Sequence, residues 1–549
     1  MSASFRFIDL FAGVGGFHAA MKALGGECVY AVEIDPKAAN VYEANWGHHA
    51  FGDITEDADA DAGLMNVPPH DVLCAGFPCQ PFSKSGTQRG MEETRGTLFF
   101  NIASIIKAHH PAIVLLENVR NLVGPRHSHE WSVIVDTLRE EGYHVSERPA
   151  LFSPHLLPPS MGGVPQVRER VFITATYAPE QVCAAAYQAP SPVVSMADRF
   201  PTDATLADVW DPNSLPRELF QPRSHTEGWN LEDLLDDTDV TSDCNLSDSE
   251  TLWIDAWDEF VRIIRELDKG KNLPGHPIWA DSWRDFPEVQ RIDWSRSAVQ
   301  VPKRVTLPQV DPELPSWKKS HLRNNYAFFA RNYRPIVEWA HRWGLYSDSF
   351  PPSRRKLEWQ AQDTPTLWDT VMHLRPSGIR AKKPTYLPAL VAITQTSIVG
   401  PRKRRLTPRE TARLQGLPDT FIFPEQPASA TYRQMGNGVN VGAVWHVLRQ
   451  HVVRDIEILN QAQMDVTRLS PSHPLRLRVE SGRAIVESVR RAPLRPNEIL
   501  AEHRPSRLVH QGDVEFFSST TPIHEGLLSS KPKVLEIREA AFGGAQRAI

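Results

Sequence analysis

A cysteine with a proline on either side is the residue best suited to covalent chemistry in this chain of 549 residues. Cys79 follows the apolar segment 71–77, with Pro78 before it and Pro81 two positions after it. The two prolines stiffen the backbone around the thiol, which makes Cys79 a candidate nucleophile. A buried, inert cysteine is the commoner alternative. The segment 82–96, rich in Gly, Ser and Thr, has the composition of a mobile lid and favours the catalytic role.

Three charged side chains could act beside that thiol. Glu117 lies at the end of the apolar segment 112–118, where a carboxyl is a candidate general acid or base. Arg168 and Arg170 belong to a Q-x-R-x-R motif that leads into a strand-like segment. Strand alternation would place both arginines on one face, where they could hold an anion or carbonyl oxygens. Taken alone, the motif is equally consistent with a surface strand.

A glycine-rich turn near the N-terminus could approach a nucleotide-like ligand. Gly13, Gly15 and Gly16 follow one apolar segment and open a helical one. Glycines in that position let backbone N–H groups come close to a ligand. The third glycine of the dinucleotide fingerprint is replaced by His18, which disfavours a pyrophosphate cofactor. A simple tight turn is the alternative.

Three acids lie where successive strands would end. They are Asp9, Glu33 and Asp53, the last at the end of a predicted third strand. Carboxylates at such ends can hold ribose hydroxyls or a cationic group, so S-adenosylmethionine suits them better than NAD. Solvated loop carboxylates are the alternative for this set.

Alternating strands and helices over residues 1–180 would position these side chains. Short apolar segments separated by helical ones predict βαβ units. We therefore expect an α/β, doubly wound, Rossmann-like domain with a mostly parallel sheet. The carboxyl ends of its strands would line one crevice. The segment 432–453 is expected to form a turn followed by an apolar helix, and residues 430–455 would complete this domain.

The alternation of strands and helices is absent from the middle of the chain. This change in pattern predicts a second, mixed and loop-rich domain over 181–429. Twelve of the fifteen tryptophans lie between Trp210 and Trp368, and we interpret them as core residues. Within this domain, residues 231–260 form an acidic insert with eleven Asp or Glu and no Lys or Arg. Further on, Thr407 and Glu410 have the spacing of a capping box at a helix start. The polar residues 456–549 are expected to be a C-terminal extension with partial disorder.

Composition indicates a soluble, globular, intracellular protein. Hydrophobic residues make up 41% of the chain, and no apolar segment approaches the ~18 residues of a membrane span. The N-terminus lacks the pattern of a secretory signal. Five scattered cysteines predict neither a disulfide framework nor a zinc site. A net charge of −6 by itself argues against a nucleic-acid partner.

The ordered set of motifs overrides that argument. FIDLFAGVGGF, GFPCQPFS, ENV, QVRER and RQMGNGV occur in the order and approximate spacing of the DNA (cytosine-5)-methyltransferases. The chain resembles the bacterial restriction–modification members of that family over roughly 5–180 and 402–450. Because several independent motifs coincide, the resemblance is specific.

The resemblance implies a catalytic set. It identifies Cys79 with the nucleophile that attacks cytosine C6, which makes C5 electron-rich enough to accept a methyl group. Glu117 corresponds to the carboxyl that contacts N3 and the exocyclic amine. Arg168 and Arg170 correspond to the pair that orients the ring through O2 and supports neighbouring groups.

The resemblance also implies S-adenosyl-L-methionine as the methyl donor. Glu33 would hold its ribose and Asp53 its adenine amine. The implied cofactor-binding positions are Phe11, Gly13, Gly16, Glu33, Ile34, Asp53, Ile54, Pro78, Leu98, Asn437 and Val439.

The implied substrate is double-stranded DNA with the target base flipped out, because C5 cannot be reached in a stacked duplex. The domain over 181–429 would be the target recognition domain and would lie across the major groove. The candidate DNA contacts are Ser83, Ser85, Gln88, Arg95, Arg402, Arg404 and Arg405. Without the acidic insert the chain would carry +5 rather than −6, so we expect that insert to point away from DNA.

Three alternatives remain at this stage. A tRNA cytosine-5 methyltransferase of the same fold is disfavoured by the long insert, and a catalytically silent DNA-binding protein is disfavoured by the intact catalytic set. The missing third glycine and the Pro-Cys motif both disfavour a Rossmann oxidoreductase. We expect a monomer in the bacterial cytoplasm, with no membrane contact and no obligatory protein partner.

Overall fold

The computed structural model covers most of the two predicted domains. It describes residues 5–59, 63–78, 98–157, 159–196, 231–236, 242–267, 273–392, 396–460 and 467–492.

Strands and helices alternate through the first part of the chain, as the apolar pattern predicts. Its elements are β1 (Phe5–Leu10), α1 (Gly16–Ala23), β2 (Gly26–Val32), α2 (Pro36–Trp46), α3 (Ile54–Asp57), β3 (Ala58–Asp59), β4 (Leu64–Met65), β5 (Val72–Ala75), α4 (Leu98–His109), β6 (Ile113–Val119), α5 (Ser128–Glu140), β7 (Tyr143–Val145), β8 (Ala150–Phe152), β9 (Gln166–Val167), β10 (Arg170–Tyr177) and α6 (Pro179–Val182).

These strands form a seven-stranded sheet in the order β2-β1-β5-β6-β10-β7, with β8 also paired to β10. The pairs from β2 to β6 are parallel, and β10 is antiparallel to its neighbours. Successive side chains of β1 enter opposite cores: Phe7 packs with α1 and α2, whereas Ile8 packs with α4 and α5. Helices therefore cover both faces. The predicted α/β, doubly wound, mostly parallel architecture is confirmed.

The predicted third strand before Asp53 is wrong. Only Phe51 pairs with the sheet, through a single parallel bridge to Glu33. Asp53 instead caps the short helix α3, because its Oδ1 accepts the Thr55 N–H at 3.0 Å. One bridge and a side-chain cap replace the strand, yet Asp53 stays beside the end of β2.

The second part of the chain contains longer helices and a second sheet. Its elements are α7 (Asp248–Leu267), β11 (Ile278–Trp279), α8 (Pro287–Gln290), α9 (Ser316–Arg342), β12 (Lys356–Gln360), β13 (Val371–Arg375), β14 (Gly378–Lys382), β15 (Leu387–Pro388), β16 (Ile398–Val399), β17 (Arg404–Arg405), α10 (Pro408–Arg413), α11 (Ala428–Asn437), α12 (Val441–Arg454), α13 (Ile456–Asn460) and α14 (Pro474–Arg491).

The second sheet has the order β11-β12-β14-β13-β16-β17 and its own aromatic core. Trp257, Trp283 and Trp339 are fully buried in that core, around Phe260. The interpretation of these tryptophans as packing residues is thus confirmed. The described residues belong to one compact unit that spans Met1–Ser506, so the boundary between the two predicted domains stays a prediction.

Of the predictions for the helices between residues 402 and 454, one is confirmed and one is wrong. Thr407 and Glu410 form the predicted capping box at the start of α10. Residues 432–437, expected to be a turn, belong to α11, and the next helix starts after Asn440, whose side chain caps it. The apolar helix α12 packs on α1.

The C-terminal extension is not an appendage over the residues that the structure describes. The helix α14 buries Ile485, Val486 and Val489 in the same core as α1 and α12. It contacts β1 as well. The sequence analysis did not identify α14, because its apolar positions are separated by five arginines, which lower its mean hydropathy without changing which side is apolar. The partial disorder expected of residues 456–549 stays a prediction.

Candidate functional site

A buried ion pair lies at the carboxyl end of β6. The Arg170 Nε and the Glu117 Oε1 are 2.9 Å apart, at the point where β10 pairs with β6. The other carboxylate oxygen faces Gly76: a Cβ built there would lie 3.8 Å from the Glu117 Oε2. Gly76 precedes Cys79 by three residues. The carboxylate therefore faces the segment that leads to the candidate nucleophile.

Burial raises the pKa of Glu117, and the nearby cations Arg170 and Arg168 oppose that shift. A carboxyl with a raised pKa can hold a proton closer to neutral pH than an exposed one. Glu117 is thus able to donate a hydrogen bond or a proton to a ring nitrogen, which is the behaviour expected of a general acid.

Arg168 and Arg170 differ in what they contact. Arg168 lies in the break between β9 and β10 and is 2% exposed. Its Nη1 donates to the Leu390 carbonyl at 2.9 Å, and its Nη2 donates to the carbonyls of Gly436 (2.9 Å) and Gly438 (2.6 Å). Burial lowers the pKa of Arg168 to about 9. Arg168 lies outside β10 and its guanidinium donates to backbone carbonyls, but its charge, like that of Arg170, acts on the Glu117 carboxyl. The shared strand face stays a prediction.

Asn118 is a site residue that sequence reasoning missed. Its Nδ2 donates to the Phe77 carbonyl at 2.9 Å, and its Oδ1 accepts the Val119 N–H at 2.8 Å. These bonds fix the segment 76–78 against the end of β6. The signal was present, because Asn118 belongs to the ENV motif, but only the carboxyl was selected from it.

Several predicted site residues lie outside the residues that the structure describes. They are Cys79, Ser83, Ser85, Gln88 and Arg95.

The turn after β1 meets the end of β2 through Glu33. The Glu33 Oε2 accepts the Gly13 N–H at 2.8 Å, and its Oε1 accepts the Asp35 N–H at 2.8 Å. Phe11 and Gly13 both have φ near +56°, in the left-handed region. A Cβ on Gly13 would meet no atom within 4 Å, so this part of the turn borders open space.

Gly16 serves packing rather than ligand approach. A Cβ there would lie 2.6 Å from the Val439 carbonyl oxygen, a distance that excludes any side chain. The contact joins the turn to the segment between α11 and α12. It thus brings together two predicted cofactor positions that are 423 residues apart in sequence.

Exposed apolar side chains border the acids of this turn. Ile34 is 65% exposed, and Phe51, which the sequence analysis did not select, is 53% exposed. Burial raises the pKa of Glu33. Asp9, fully buried beneath the turn, has an Oδ1 without a hydrogen-bond partner within the described part of the chain. Acids beside solvent-facing apolar groups suit a ligand that combines a planar ring, hydroxyl donors and a positive charge.

The remaining predicted cofactor positions lie around this turn or are exposed. Phe11, Ile54 and Leu98 belong to one apolar cluster on the α4 side of the sheet. Pro78 and Asn437 are exposed.

Two of the predicted phosphate contacts are wrong. Arg404 and Arg405 are 6% and 8% exposed. Arg404 makes a bidentate pair with Glu410 (Nη2–Oε1 2.7 Å), and Arg405 makes one with Glu250 (Nη2–Oε1 2.7 Å). A buried guanidinium that already holds a carboxylate cannot also hold a phosphate.

The acidic insert supplies partners for this basic segment. Besides the Glu250 pair, Glu232 pairs with Arg402, and Asp236 pairs with Arg413 (2.7 Å). The insert was expected to be a surface directed away from DNA. These three acids pair with arginines of the same chain, and the orientation of the insert relative to DNA stays a prediction.

Comparisons with known proteins agree with the motifs. The family model for C-5 cytosine-specific DNA methylases matches residues 5–452. The chain is 56% identical to type II methyltransferase M.AluI of Cellulosimicrobium cellulans, over 83% of this chain and 94% of that protein. It is 42% identical to type II methyltransferase M.HpaII of Haemophilus parainfluenzae, over 39% of this chain and 56% of that protein. Among the described residues, no helix is long and apolar enough to cross a membrane.

Proposed function

The chain belongs to the family of C-5 cytosine-specific DNA methylases, and we propose that it methylates a flipped-out cytosine in a specific double-stranded DNA site through Cys79. The family makes it a DNA cytosine-5 methyltransferase. The observation that carries the mechanism is the buried Glu117–Arg170 pair, which faces Gly76 in the segment leading to Cys79.

S-Adenosyl-L-methionine is the methyl donor that fits this chain, and it supplies an electrophilic methyl group when bound. The carboxylate of Glu33 would hold the ribose hydroxyls, and Asp53 the adenine amine. Ile34 and Phe51 offer exposed apolar surface for the purine. The open space beside Gly13 leaves room for a ligand at the turn.

The chain's own residues would perform addition and elimination. The Cys79 thiolate forms a bond to C6, and the electron pair of the C5–C6 double bond becomes available at C5. Glu117 holds the proton at N3, a task that its raised pKa favours. Arg170 fixes the carboxyl and can donate to O2. After methyl transfer, a base removes the C5 proton and the bond from sulfur to C6 breaks, which regenerates the thiolate.

Arg168 is a positioning residue in this mechanism. It ties the strand break before Arg170 to three carbonyls of the segments that close the crevice. The lid segment 82–96, with Ser83, Ser85, Gln88 and Arg95, would close over the flipped nucleotide and its phosphates.

Bisulfite sequencing of DNA from cells that express the protein tests this function. We expect protected cytosines at one sequence with the wild type and none with Cys79→Ala. Cys183→Ala is the matched control, because Cys183 is exposed and lies on neither β5 nor β6. Unprotected DNA with folded wild-type protein would sink the proposal. Protection by Cys79→Ala would refute the nucleophile alone.

We also propose that the enzyme protects host DNA from a cognate endonuclease, as a monomer in the bacterial cytoplasm. The similarity to proteins named type II methyltransferases supports this role. Flipping a single base from one strand requires only one active site, which supports the monomer.

A further inference from the structure

We propose that one face of the second sheet reads the target sequence in the DNA major groove, with Arg380 contacting a base and Arg375 and Lys382 contacting phosphates. We call it the basic face and define it by His373, Arg375, Arg380 and Lys382. The inference rests on the proposed function, because it identifies where that enzyme recognises its site.

Strand alternation separates this face from the core. On β13 and β14, Met372, Ile379 and Ala381 are fully buried, and they pack into the aromatic core. The alternate positions hold the basic face: His373 pairs with Arg380 across the two strands, and Lys382 pairs with Val371. Because side chains alternate along a strand, the four polar residues lie on the side opposite the aromatic core, the side on which Val371 packs into the core of the first sheet.

The face carries more positive charge than its acids can neutralise. Glu358 on β12, the register partner of Arg380, binds the Arg380 Nε at 2.5 Å. Within the described part of the chain, neither Arg375 nor Lys382 has a carboxylate partner within ion-pair distance. Partial burial lowers the pKa of both, and their mutual repulsion with Arg380 lowers it further. Like charges held this close favour an anionic ligand.

Two cations close to these strands in sequence do have carboxylate partners. Arg355 pairs with Asp281 at 3.2 Å and donates to the carbonyls of Leu345 and Ser347. Lys383 pairs with Asp363. Within the described part of the chain, Lys356 on β12 is a further cation without a carboxylate partner, and it lies over the Trp279 ring at 5.6 Å from the centroid.

The basic face adjoins the candidate active site. The His373 Nε2 and the Ser397 Oγ are 2.7 Å apart, and His373 lines a small cavity together with Leu390 and Val391. The Leu390 carbonyl is the acceptor of Arg168. A duplex whose target base enters the Glu117 site would thus continue onto this face.

The dimensions fit a duplex groove. The three strands β12, β14 and β13 lie side by side at ~4.8 Å spacing, which makes a surface about 10 Å wide between the outer strands. The major groove is ~12 Å wide and presents a distinct pattern of donors and acceptors for every base pair.

Arg380 is the member prepared for base readout. Its Nε and Nη2 both hold the Glu358 Oε2, which fixes the plane of the guanidinium and leaves Nη1 free of that carboxylate. An oriented guanidinium matches the O6 and N7 acceptors of guanine. Arg375 and Lys382 lack such a partner and suit phosphates, whose contacts carry no sequence information.

The test compares single substitutions on a duplex of about 20 base pairs carrying the site found by bisulfite sequencing. Binding is measured between 50 and 200 mM salt. We expect Arg375→Ala and Lys382→Ala each to reduce the slope of log Kd against log salt by about 0.9 and to weaken all sequences equally. Arg380→Lys keeps the charge but loses the fork, so it should lose about tenfold to hundredfold discrimination at one base pair.

Arg342→Ala is the matched control, since Arg342 is an exposed arginine on α9 that pairs with Glu259. Thermal melting verifies that each variant is folded. If the basic-face variants change slope and discrimination no more than Arg342→Ala while the wild type methylates DNA, this inference is wrong and the proposed function stands. If the wild type neither methylates nor binds DNA, both fall.

Discussion

Arg168 and Arg170 are two positions apart and hold different parts of the site. Arg170 pairs with the Glu117 carboxyl, whereas the Arg168 guanidinium binds the carbonyls of Leu390, Gly436 and Gly438. The first can act on a substrate. The second holds together pieces of backbone that are more than 200 residues apart in sequence.

Substitution should separate these roles. We expect Arg168→Ala to lower the free energy of unfolding by about 3 kcal/mol or more, because three buried carbonyls lose their donor. Arg170→Ala should reduce kcat about a hundredfold or more with a smaller loss of stability, because Glu117 loses its orientation. Urea titrations and steady-state methylation assays measure both effects. The reverse pattern would contradict the division.

Residues whose partners are local could be predicted from sequence, and those with distant partners could not. Glu117, Gly13 and Glu33 lie at strand ends that the apolar pattern marks directly. Arg405 failed because its carboxylate partner is Glu250, 155 residues away, and Arg404 is held in part by the Asp236 carbonyl, 168 residues away, besides its nearby partner Glu410. Spacing in the sequence shows which side chains share a helix or strand. It does not show which distant residue the fold will place beside a charged side chain.

At the scale of elements, α12 carries two buried neutral histidines. His446 and His451 are 5% and 0% exposed, and burial lowers the pKa of each to about 3. In the unfolded chain each would titrate near 6.5. The unfolded state therefore binds more protons below pH 6.5, so this stabilisation is complete above that pH and is lost as pH falls toward 3.

We expect the free energy of unfolding to fall by about 2 kcal/mol per histidine between pH 7 and pH 5. His446→Phe should remove one histidine's share of this fall, and it keeps a ring against Phe152, whose centroid is 5.1 Å away. Exposed His129→Gln should leave the fall unchanged. Urea titrations at both pH values measure it, and a wild-type stability independent of pH would argue against buried neutral imidazoles.

The elements also show where apolar patterning stops being sufficient. The strands of the first sheet were predicted because they are buried on both faces and appear as continuous apolar segments. The helix α14 was missed because it buries only one side, and the strand before Asp53 was overpredicted because a single bridge has no pattern of its own. In both cases the structure depends on tertiary contacts, which the apolar pattern of the sequence does not show.

At the scale of the molecule, the last described helix packs against the first strand. The helix α14 contacts β1, and the Ser488 hydroxyl donates to the Leu24 carbonyl. The helix α14 thus completes the core of the first sheet.

Truncation tests that arrangement. A chain ending at Asn460 should lose its cooperative melting transition or melt much lower, whereas one ending at Ala492 keeps every contact described for α14 and should melt like the full chain. Because the shorter chain may aggregate, Ile485→Ala provides the graded version, with an expected loss of about 2–5 kcal/mol. Equal melting temperatures for the two truncated chains would refute a structural role for α14.

The ion pairs between the acidic insert and the basic segment constrain how such enzymes can exchange specificity. Glu232, Asp236 and Glu250 lie near one end of the middle region, and their partners Arg402, Arg413 and Arg405 lie near its other end. A chimaera joined at residues 230 and 400 would take the acids from one parent and the arginines from the other, which would leave the buried Arg405 without its counterion. Crossover points placed before 231 and after 413 would transfer the acids and their arginines together. A new recognition region would then keep its own ion pairs.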